Sequence, residues 1–375
     1  MSAVSDRLPT FPWDKLEPYK KTAAAHEGGI VDLSVGTPVD PVPELIQKAL
    51  IAAADSPGYP TVWGTPELRD ALVGWSERRL GARGFTHHNV LPIVGSKELV
   101  AWLPTQLGLG PGDKVAYPRL AYPTYEVGAR LARADHVAYD IEAFAADAAC
   151  AELDPTGIKL LWLNSPSNPT GRVLSKDELT RIVAWAREHG ILVFSDECYI
   201  ELGWEADPVS VLHPDVCGGS YEGIVSVHSL SKRSNLAGYR AAFLAGDAAV
   251  LGDLLQIRKH GGMMTSAPTQ AAVVAALGDD EHVQEQRGRY AARRAALRDA
   301  LVQHGFRVEH SEASLYLWVT RDESCWDTVA HLAELGILVA PGDFYGPAGD
   351  RFVRVALTAS DERVAAAVER LSRGA

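Results

Sequence analysis

The fold is decided by the stretch Ser229-Leu230-Ser231-Lys232-Arg233-Ser234-Asn235-Leu236-Ala237-Gly238-Tyr239-Arg240. The segment before it, residues 224–228, is apolar and β-branched at alternate positions, which predicts a strand. Lys232 therefore falls in a loop at the carboxyl end of a strand. Open α/β sheets bind their ligands at that end of their strands.

The residues around this lysine predict a phosphate site. Ser229 and Ser231 can donate hydrogen bonds to phosphate oxygens, and the guanidinium of Arg240 can bind the same group with two parallel bonds. A lysine beside a phosphate-binding cluster suggests a Schiff base to a phosphorylated aldehyde, namely pyridoxal phosphate. The alternative is a lysine in an exposed, serine-rich loop, and this stretch alone leaves both interpretations open.

Composition limits the class of protein. The chain has 375 residues, 47% of them hydrophobic and 22% charged, which is ordinary for a globular protein of one large or two smaller domains. The net charge is −12 and no block of lysine and arginine stands out. Nucleic acid and anionic membranes are therefore not expected as partners. A small anionic substrate stays open, because a few local arginines can override the overall sign.

The cysteines and the N-terminus point to the cytoplasm. The four cysteines, Cys150, Cys198, Cys217 and Cys325, have neither C-x-x-C nor metal-site spacing, so we expect reduced, mostly buried thiols and no metal. Residues 1–16 lack an apolar signal core, and no run of about 18 apolar residues predicts a membrane span.

From Val90 onward, strand and helix patterns alternate, which predicts a parallel sheet covered by helices. The first of these strands runs into Gly95-Ser96-Lys97 and a helix. Backbone N–H groups at such a helix start form an anion site.

Three later strands end in polar residues that would meet at the same edge. Tyr122 could stack on a planar ring there, and Asn168 lies in a turn whose two X-Pro bonds favour a cis peptide. Asp196 follows an apolar strand, and its carboxylate is costly to bury unless it is paired. A cationic pyridinium nitrogen would be such a partner.

Taken together, these segments resemble the fold-type I pyridoxal phosphate enzymes of the class I/II aminotransferase family. The resemblance covers nearly the whole chain and rests on ordered motifs: Asn164-Ser165-Pro166-Ser167-Asn168-Pro169-Thr170-Gly171, Asp196-Glu197-Cys198-Tyr199, Ser229-x-Ser231-Lys232 with Gly238-Tyr239-Arg240, and Phe352-Val353-Arg354-Val355. It implies an α/β fold with a mostly parallel central sheet in a large domain and a smaller α+β domain. We expect residues 41–282 to form the large domain, and residues 1–40 and 283–375 the small one.

The resemblance also implies roles around the cofactor ring. Lys232 would form the Schiff base and shuttle a proton, so its pKa must be lowered by burial or nearby positive charge. Asp196 would keep the pyridine nitrogen protonated, Asn168 and Tyr199 would bind the ring's 3-oxygen, and Tyr122 would stack on the ring.

The remaining implied roles concern the phosphate and the substrate. The phosphate ligands would be Ser96, Lys97 (through its backbone N–H), Ser229, Ser231 and Arg240. Tyr59 would reach the phosphate of a neighbouring subunit, which implies a homodimer with shared active sites. Arg354 would bind the substrate α-carboxylate as a fork, with Gly36 against the same group.

Within this family, the chain looks most like the succinyldiaminopimelate transaminases of bacterial lysine biosynthesis. The donor would be glutamate and the acceptor N-succinyl-2-amino-6-oxopimelate, whose distal carboxylate needs a second cation. The candidates for that cation are Arg119, Arg233, Lys259 and His260. An aspartate or aromatic aminotransferase, a β-lyase on the same cofactor and a non-catalytic ligand sensor remain as alternatives.

Overall fold

The computed structural model of the protein describes residues 4–147 and 153–373. Its strands are β1 (Val31–Asp32), β2 (Val90–Ile93), β3 (Lys114–Pro118), β4 (Asp135–Tyr139), β5 (Ile158–Asn164), β6 (Leu192–Asp196), β7 (Ile224–Ser229), β8 (Ala242–Gly246), β9 (Arg307–Glu309), β10 (Tyr316–Thr320), β11 (Ile337–Leu338), β12 (Ala340–Pro341) and β13 (Val353–Ala356).

The α-helices are α1 (Glu17–Ala24), α2 (Glu44–Ala52), α3 (Pro66–Trp75), α4 (Ser96–Gln106), α5 (Thr124–Ala132), α6 (Ile141–Ala146), α7 (Lys176–Glu188), α8 (Pro214–Cys217), α9 (Leu230–Arg233), α10 (Ala248–Gly261), α11 (Ala267–Leu277), α12 (Glu281–Gln303), α13 (Cys325–Glu334) and α14 (Asp361–Arg373). A π-helical turn, Ser76–Leu80, continues α3. Within the described residues, every helix is too short or too polar to cross a membrane.

In the part of the chain that the structure describes, the central sheet has seven strands in the order β2-β8-β7-β6-β5-β3-β4. Only β8 runs against its neighbours, β2 and β7; the other adjacent pairs are parallel. Strands β7 and β8 are buried along their whole length, as expected where helices cover both faces of a sheet. The predicted mostly parallel α/β sheet is therefore confirmed, and the carboxyl ends of β3, β5, β6 and β7 share one edge.

Local sequence signals explain where several helices begin. Helix α7 starts with a capping box: the Glu178 backbone N–H donates to Ser175 Oγ, and Ser175 N–H donates to Glu178 Oε2 at 2.7 Å. Helix α4 starts directly after Gly95, whose φ of 103° is accessible to glycine at little cost.

A smaller sheet lies towards the C-terminus. Strands β12-β13-β10-β9 pair antiparallel, and β1 pairs in parallel with β11, which attaches the N-terminal segment to this part of the fold. The long helix α12 buries one face that includes Tyr290 and Leu297. The domain boundaries at residues 40/41 and 282/283 stay a prediction.

Some local expectations differ from the structure. Lys232 lies in the short helix α9 rather than in a loop, because the Ser229 side chain caps that turn. The edge strand β4 and helix α5 were not predicted, since β4 is half exposed and lacks the apolar run of a central strand. Cys198, Cys217 and Cys325 carry free thiols, the first half-buried and the others buried, whereas Cys150 lies outside the described residues.

Candidate active site

Lys232 lies at the carboxyl edge of the central sheet, one helical turn beyond β7. Its Nζ donates a hydrogen bond to the backbone carbonyl of Gly36. Burial lowers the pKa of the Lys232 ammonium, and the positive charges of Arg354 and Arg240 lower it further. A larger share of neutral amine follows, and the neutral amine is the nucleophilic form.

Asp196 ends β6, next to the strand that leads to Lys232. Its Oδ2 accepts a hydrogen bond of 2.9 Å from the Tyr125 hydroxyl, and its Oδ1 accepts one of 3.2 Å from the Cys198 backbone N–H. Burial raises the pKa of Asp196, and these hydrogen bonds oppose that effect. Tyr125 was not predicted as a site residue, although it follows Tyr122 closely in the chain.

Asn168 is fixed by partners on both sides. The peptide bonds Ser165–Pro166 and Asn168–Pro169 are cis, in line with the predicted cis turn. The Asn168 backbone N–H donates to Asn164 Oδ1 at 2.7 Å, and Asn168 Oδ1 accepts from Arg354 Nη1 at 2.8 Å. With its oxygen engaged by Arg354, the side-chain amide keeps its NH₂ group as a donor.

Arg354 is a buried cation, 3% exposed, on β13. Its Nη2 donates to the carbonyl of Ser34 at 2.8 Å. Its guanidinium carbon lies 3.9 Å from the ring centre of Tyr316 and 4.8 Å from that of Tyr345. Within the described residues, the buried Nε has no hydrogen-bond partner. A carboxylate would satisfy both the charge and the spare donors.

Tyr199 and Tyr316 meet beside this arginine, with their hydroxyl oxygens 3.1 Å apart. Burial raises the pKa of Tyr199 well above its ordinary value. Burial also acts on Tyr316, but the positive charges of Arg354 and Lys232 outweigh it and lower the pKa of that phenol. Tyr316 was not predicted, because in the sequence it reads as one more residue of an apolar strand.

Three of the predicted phosphate ligands meet at the start of α4, where Ser96 and Lys97 form the first turn and Arg240 packs against Gly95. A Cβ placed on Gly95 would come within 2.7 Å of the Arg240 guanidinium carbon, so this side chain lies directly against the first turn of the helix. Ser229 and Ser231 are buried, and the Ser231 backbone N–H donates to Ser229 Oγ at 3.2 Å. The first turn of α4, which begins at Ser96, leaves backbone N–H groups for an anion.

Three further predicted residues occupy different surroundings. The Lys97 ammonium lies 5.7 Å from the ring centre of Phe11, while its backbone lies in the first turn of α4. Tyr122 is half-buried, and burial raises its pKa to about 12. Tyr59 is 97% exposed and stays outside the buried cluster of its own subunit.

The predicted cations for a distal carboxylate are not gathered at this cluster. Arg233 is buried in an ion pair with Glu201 and donates to the Ala276 carbonyl at 3.1 Å. Arg119 pairs with Asp140 at 3.4 Å on the surface. Lys259 and His260 are exposed in the last turn of α10.

The donor set fits a phosphorylated pyridine aldehyde. A buried carboxylate suits a protonated ring nitrogen, the open start of α4 with Arg240 suits a phosphate, and a lysine with a lowered pKa suits an aldehyde. Among the described residues, His, Cys, Asp and Glu side chains form no group of three that could hold a metal ion.

The comparisons with known proteins agree with this chemistry. Residues 29–371 match the family described as aminotransferase class I and II. The chain therefore belongs to the class I and II aminotransferases, a family of enzymes that use pyridoxal 5′-phosphate.

Two similar curated proteins and one solved structure illustrate the spread of the family. The probable aminotransferase Rv1178 of Mycobacterium tuberculosis is 60% identical over 98% of this chain and 86% of its own length. The 4-dedimethylamino-4-oxo-anhydrotetracycline transaminase OxyQ of Streptomyces rimosus is 59% identical over 97% of this chain and 99% of its own. The structure of a probable N-succinyldiaminopimelate aminotransferase from Thermus thermophilus covers 97% of this chain and 100% of its own, with a TM-score of 0.87 and 29% identity.

Proposed function

We propose that this aminotransferase moves the amino group of glutamate to a carboxylate-bearing keto acid or semialdehyde. The acceptor we propose first is N-succinyl-2-amino-6-oxopimelate of the lysine and diaminopimelate pathway. This choice is supported by the overall run of the sequence and by the likeness to the Thermus thermophilus protein.

One observation carries the proposed amino-group chemistry. Lys232 Nζ donates to the carbonyl of Gly36, and Arg354 Nη2 donates to the carbonyl of Ser34. The amine that would take a proton and the cation that would hold a carboxylate are thus anchored close together on one segment. An α-amino acid presents the matching groups close together, because its carboxylate and its reacting hydrogen are both bonded to the α-carbon.

Each residue has a role that its surroundings support. When bound, pyridoxal phosphate supplies an electron sink for a negative charge that develops on the substrate α-carbon. Lys232 would hold the cofactor's aldehyde carbon and then move the proton at the α-carbon, and Asp196 would hold a proton on the ring nitrogen.

The other proposed contacts keep the ring and the substrate in place. Tyr199 and Asn168 would donate to the 3-oxygen, and Tyr122 would stack on the ring. Arg354 would bind the α-carboxylate, with Gly36 beside it. The proposed phosphate ligands are Ser96, Lys97, Ser229, Ser231 and Arg240.

A second acceptor is favoured by a different observation. The relative OxyQ, 59% identical, is named for a transaminase that acts on a polycyclic ketone. The rings of Tyr199, Tyr316 and Tyr345 line the surroundings of Arg354, and Arg233 is engaged with Glu201 rather than free for a distal carboxylate. A bulky, flat keto substrate is therefore our second candidate.

We further propose a homodimer in which Tyr59 of each subunit reaches the phosphate of the other. Its 97% exposure supports a role outside its own subunit. Mixed dimers of Lys232→Ala and Tyr59→Phe chains test this arrangement. If Tyr59 acts across the interface, each mixed dimer contains one fully wild-type site, and the activity per dimer is about half that of wild type. If Tyr59 acts within its own chain, one site lacks the lysine and the other lacks the tyrosine hydroxyl, so the activity per dimer is about half that of the Tyr59→Phe homodimer. The cytoplasmic location stays a prediction.

Borohydride reduction of the holoenzyme, followed by peptide mapping, tests the core of the proposal. We expect the cofactor label on Lys232, with no label in Lys232→Ala; a label elsewhere contradicts it. Single-turnover spectra with glutamate, followed by reoxidation with the succinylated acceptor, 2-oxoglutarate, oxaloacetate, an aromatic keto acid and a polycyclic ketone, then rank the acceptors. If the starting absorbance returns fast with the polycyclic ketone alone, this result contradicts our first choice of acceptor.

A further inference from the structure

Tyr316 lies at the centre of the site without any of the roles given above. It is the first residue of β10, and its side chain is buried. Its hydroxyl oxygen lies 3.1 Å from that of Tyr199, and its ring centre lies 3.9 Å from the guanidinium carbon of Arg354. One side chain thus contacts both the residue proposed for the cofactor's 3-oxygen and the residue proposed for the substrate carboxylate.

Gly36 makes this position possible. A Cβ on Gly36 would come within 2.8 Å of Cζ and 2.9 Å of Cε1 of Tyr316, distances that real Cβ contacts do not show. The lack of a side chain at residue 36 therefore lets the phenol approach the backbone whose carbonyl accepts from Lys232. Tyr316 packs against the peptide segment that holds the catalytic amine.

The hydroxyl and the ring act on different neighbours. Each phenol has a single O–H hydrogen, so the choice of donor in the 3.1 Å contact decides whether the Tyr199 hydrogen points to Tyr316 or is free for another acceptor. The ring face contacts the flat guanidinium of Arg354, which also contacts the ring of Tyr345, and such stacking fixes the plane of the arginine fork.

We propose that Tyr316 is a positioning residue with two separable parts: its hydroxyl directs the hydrogen of Tyr199, and its ring holds Arg354 in the plane that binds the amino donor. This inference rests on the proposed function, because it uses the roles given there to Tyr199 and Arg354. It predicts that the two parts of the side chain control two different observables.

Two substitutions separate them. Tyr316→Phe keeps the ring and removes the hydroxyl, so we expect the pH midpoint of the bound cofactor's absorbance change to move by at least about 0.5 unit, with the glutamate KM within about twofold of wild type. Tyr316→Leu also removes the aromatic face, and we expect its glutamate KM to rise about tenfold or more. Tyr316→Met replaces the leucine variant if that variant does not fold.

Tyr139→Phe is the matched control for a lost buried hydroxyl, since Tyr139 Oη donates to the Trp162 carbonyl at 2.7 Å on the edge strand β4. It should keep the wild-type spectral midpoint and KM. An unchanged midpoint in Tyr316→Phe overturns the role of the hydroxyl, and an unchanged KM in the leucine variant overturns the role of the ring. Borohydride labelling of Lys232 in every variant shows whether the proposed function still holds when this inference fails.

Discussion

The Tyr125 hydroxyl donates a hydrogen bond of 2.9 Å to Oδ2 of the buried Asp196. Sequence reasoning supplied a cationic ring nitrogen as the partner of this carboxylate, but the protein itself provides a first partner. Because the bond favours the charged carboxylate, Tyr125 helps Asp196 to stay ionised where burial alone raises its pKa.

Tyr125→Phe should therefore raise the pKa of Asp196 and move the acidic limb of the kcat/KM profile to higher pH. We expect kcat at neutral pH to fall about tenfold, the size of one lost hydrogen bond to a charged group. The pH dependence of kcat/KM for glutamate measures the shift, and Tyr139→Phe is the control. An acidic limb identical to that of wild type would show that Asp196 does not depend on Tyr125.

In the wild-type protein, the planar guanidinium of Arg354 donates to both Asn168 Oδ1 and the Ser34 carbonyl. Arg354→Lys keeps the positive charge but loses this planar fork. We expect the glutamate KM to rise about tenfold in Arg354→Lys and about a hundredfold in Arg354→Ala. Steady-state kinetics with glutamate, together with melting temperatures, separate lost binding from lost folding. Unchanged KM and kcat in Arg354→Ala would remove this residue from the site.

Gly36→Ala places a methyl group against the Tyr316 ring, where atoms would lie at 2.8 and 2.9 Å. Either the phenol or the 34–36 segment must shift, so we expect kcat/KM to fall at least about tenfold, as small displacements of positioning groups do. Gly252→Ala, inside α10 with open space around it, is the control and should keep activity and gain about 0.5 kcal/mol of stability. Wild-type kinetics in Gly36→Ala would argue against close packing at this point.

We expect the buried Glu197 to make the free energy of unfolding depend on pH. Burial raises its pKa from 4.5 to about 7, and burial lowers the pKa of the nearby His228 to about 3, so this histidine stays neutral in the relevant range. A carboxyl group whose pKa is higher in the folded than in the unfolded state binds its proton more tightly when the protein is folded. It therefore stabilises the folded state fully below about pH 4.5, and this stabilisation is lost as the pH rises through about 7.

Urea unfolding at pH 5 and pH 8 should accordingly show a lower free energy of unfolding at pH 8 for wild type. In Glu197→Gln the drop should shrink by an amount on the order of 3 kcal/mol at most, because the amide does not titrate. Equal pH dependence in both proteins would show that Glu197 does not titrate in this window.

The strand-end residues could be predicted because of parallel topology. Lys232, Asp196 and Asn168 each lie at or just after the end of a strand of the central sheet, and parallel strands bring their carboxyl ends to one edge. Their order along the chain then identified the family, which supplied Arg354 as well.

The contacts between side chains could not be predicted from the sequence. Tyr316 lies in a strand with an apolar pattern, whereas the strand that carries Tyr139 was not predicted. Only the structure shows that Tyr316 contacts Arg354 and that Tyr139 donates a hydrogen bond to the backbone carbonyl of Trp162. Arg233 and Arg354 are both buried, and only the fold shows that Glu201 occupies the first. Such differences depend on which strands and helices face each other across separate sheets, and hydrophobic periodicity does not encode this.

The site joins three distant parts of the chain. The Ser34 carbonyl accepts a hydrogen bond from Arg354, and the Gly36 carbonyl accepts one from Lys232. Strand β1, just before this segment, pairs with β11. During synthesis on the ribosome, Lys232 is made before the strand that carries Arg354. The contacts of these two residues with one segment can therefore form only after β13 has been synthesised, and a chain truncated before β13 would keep Lys232 without the cation proposed to bind the amino-acid carboxylate.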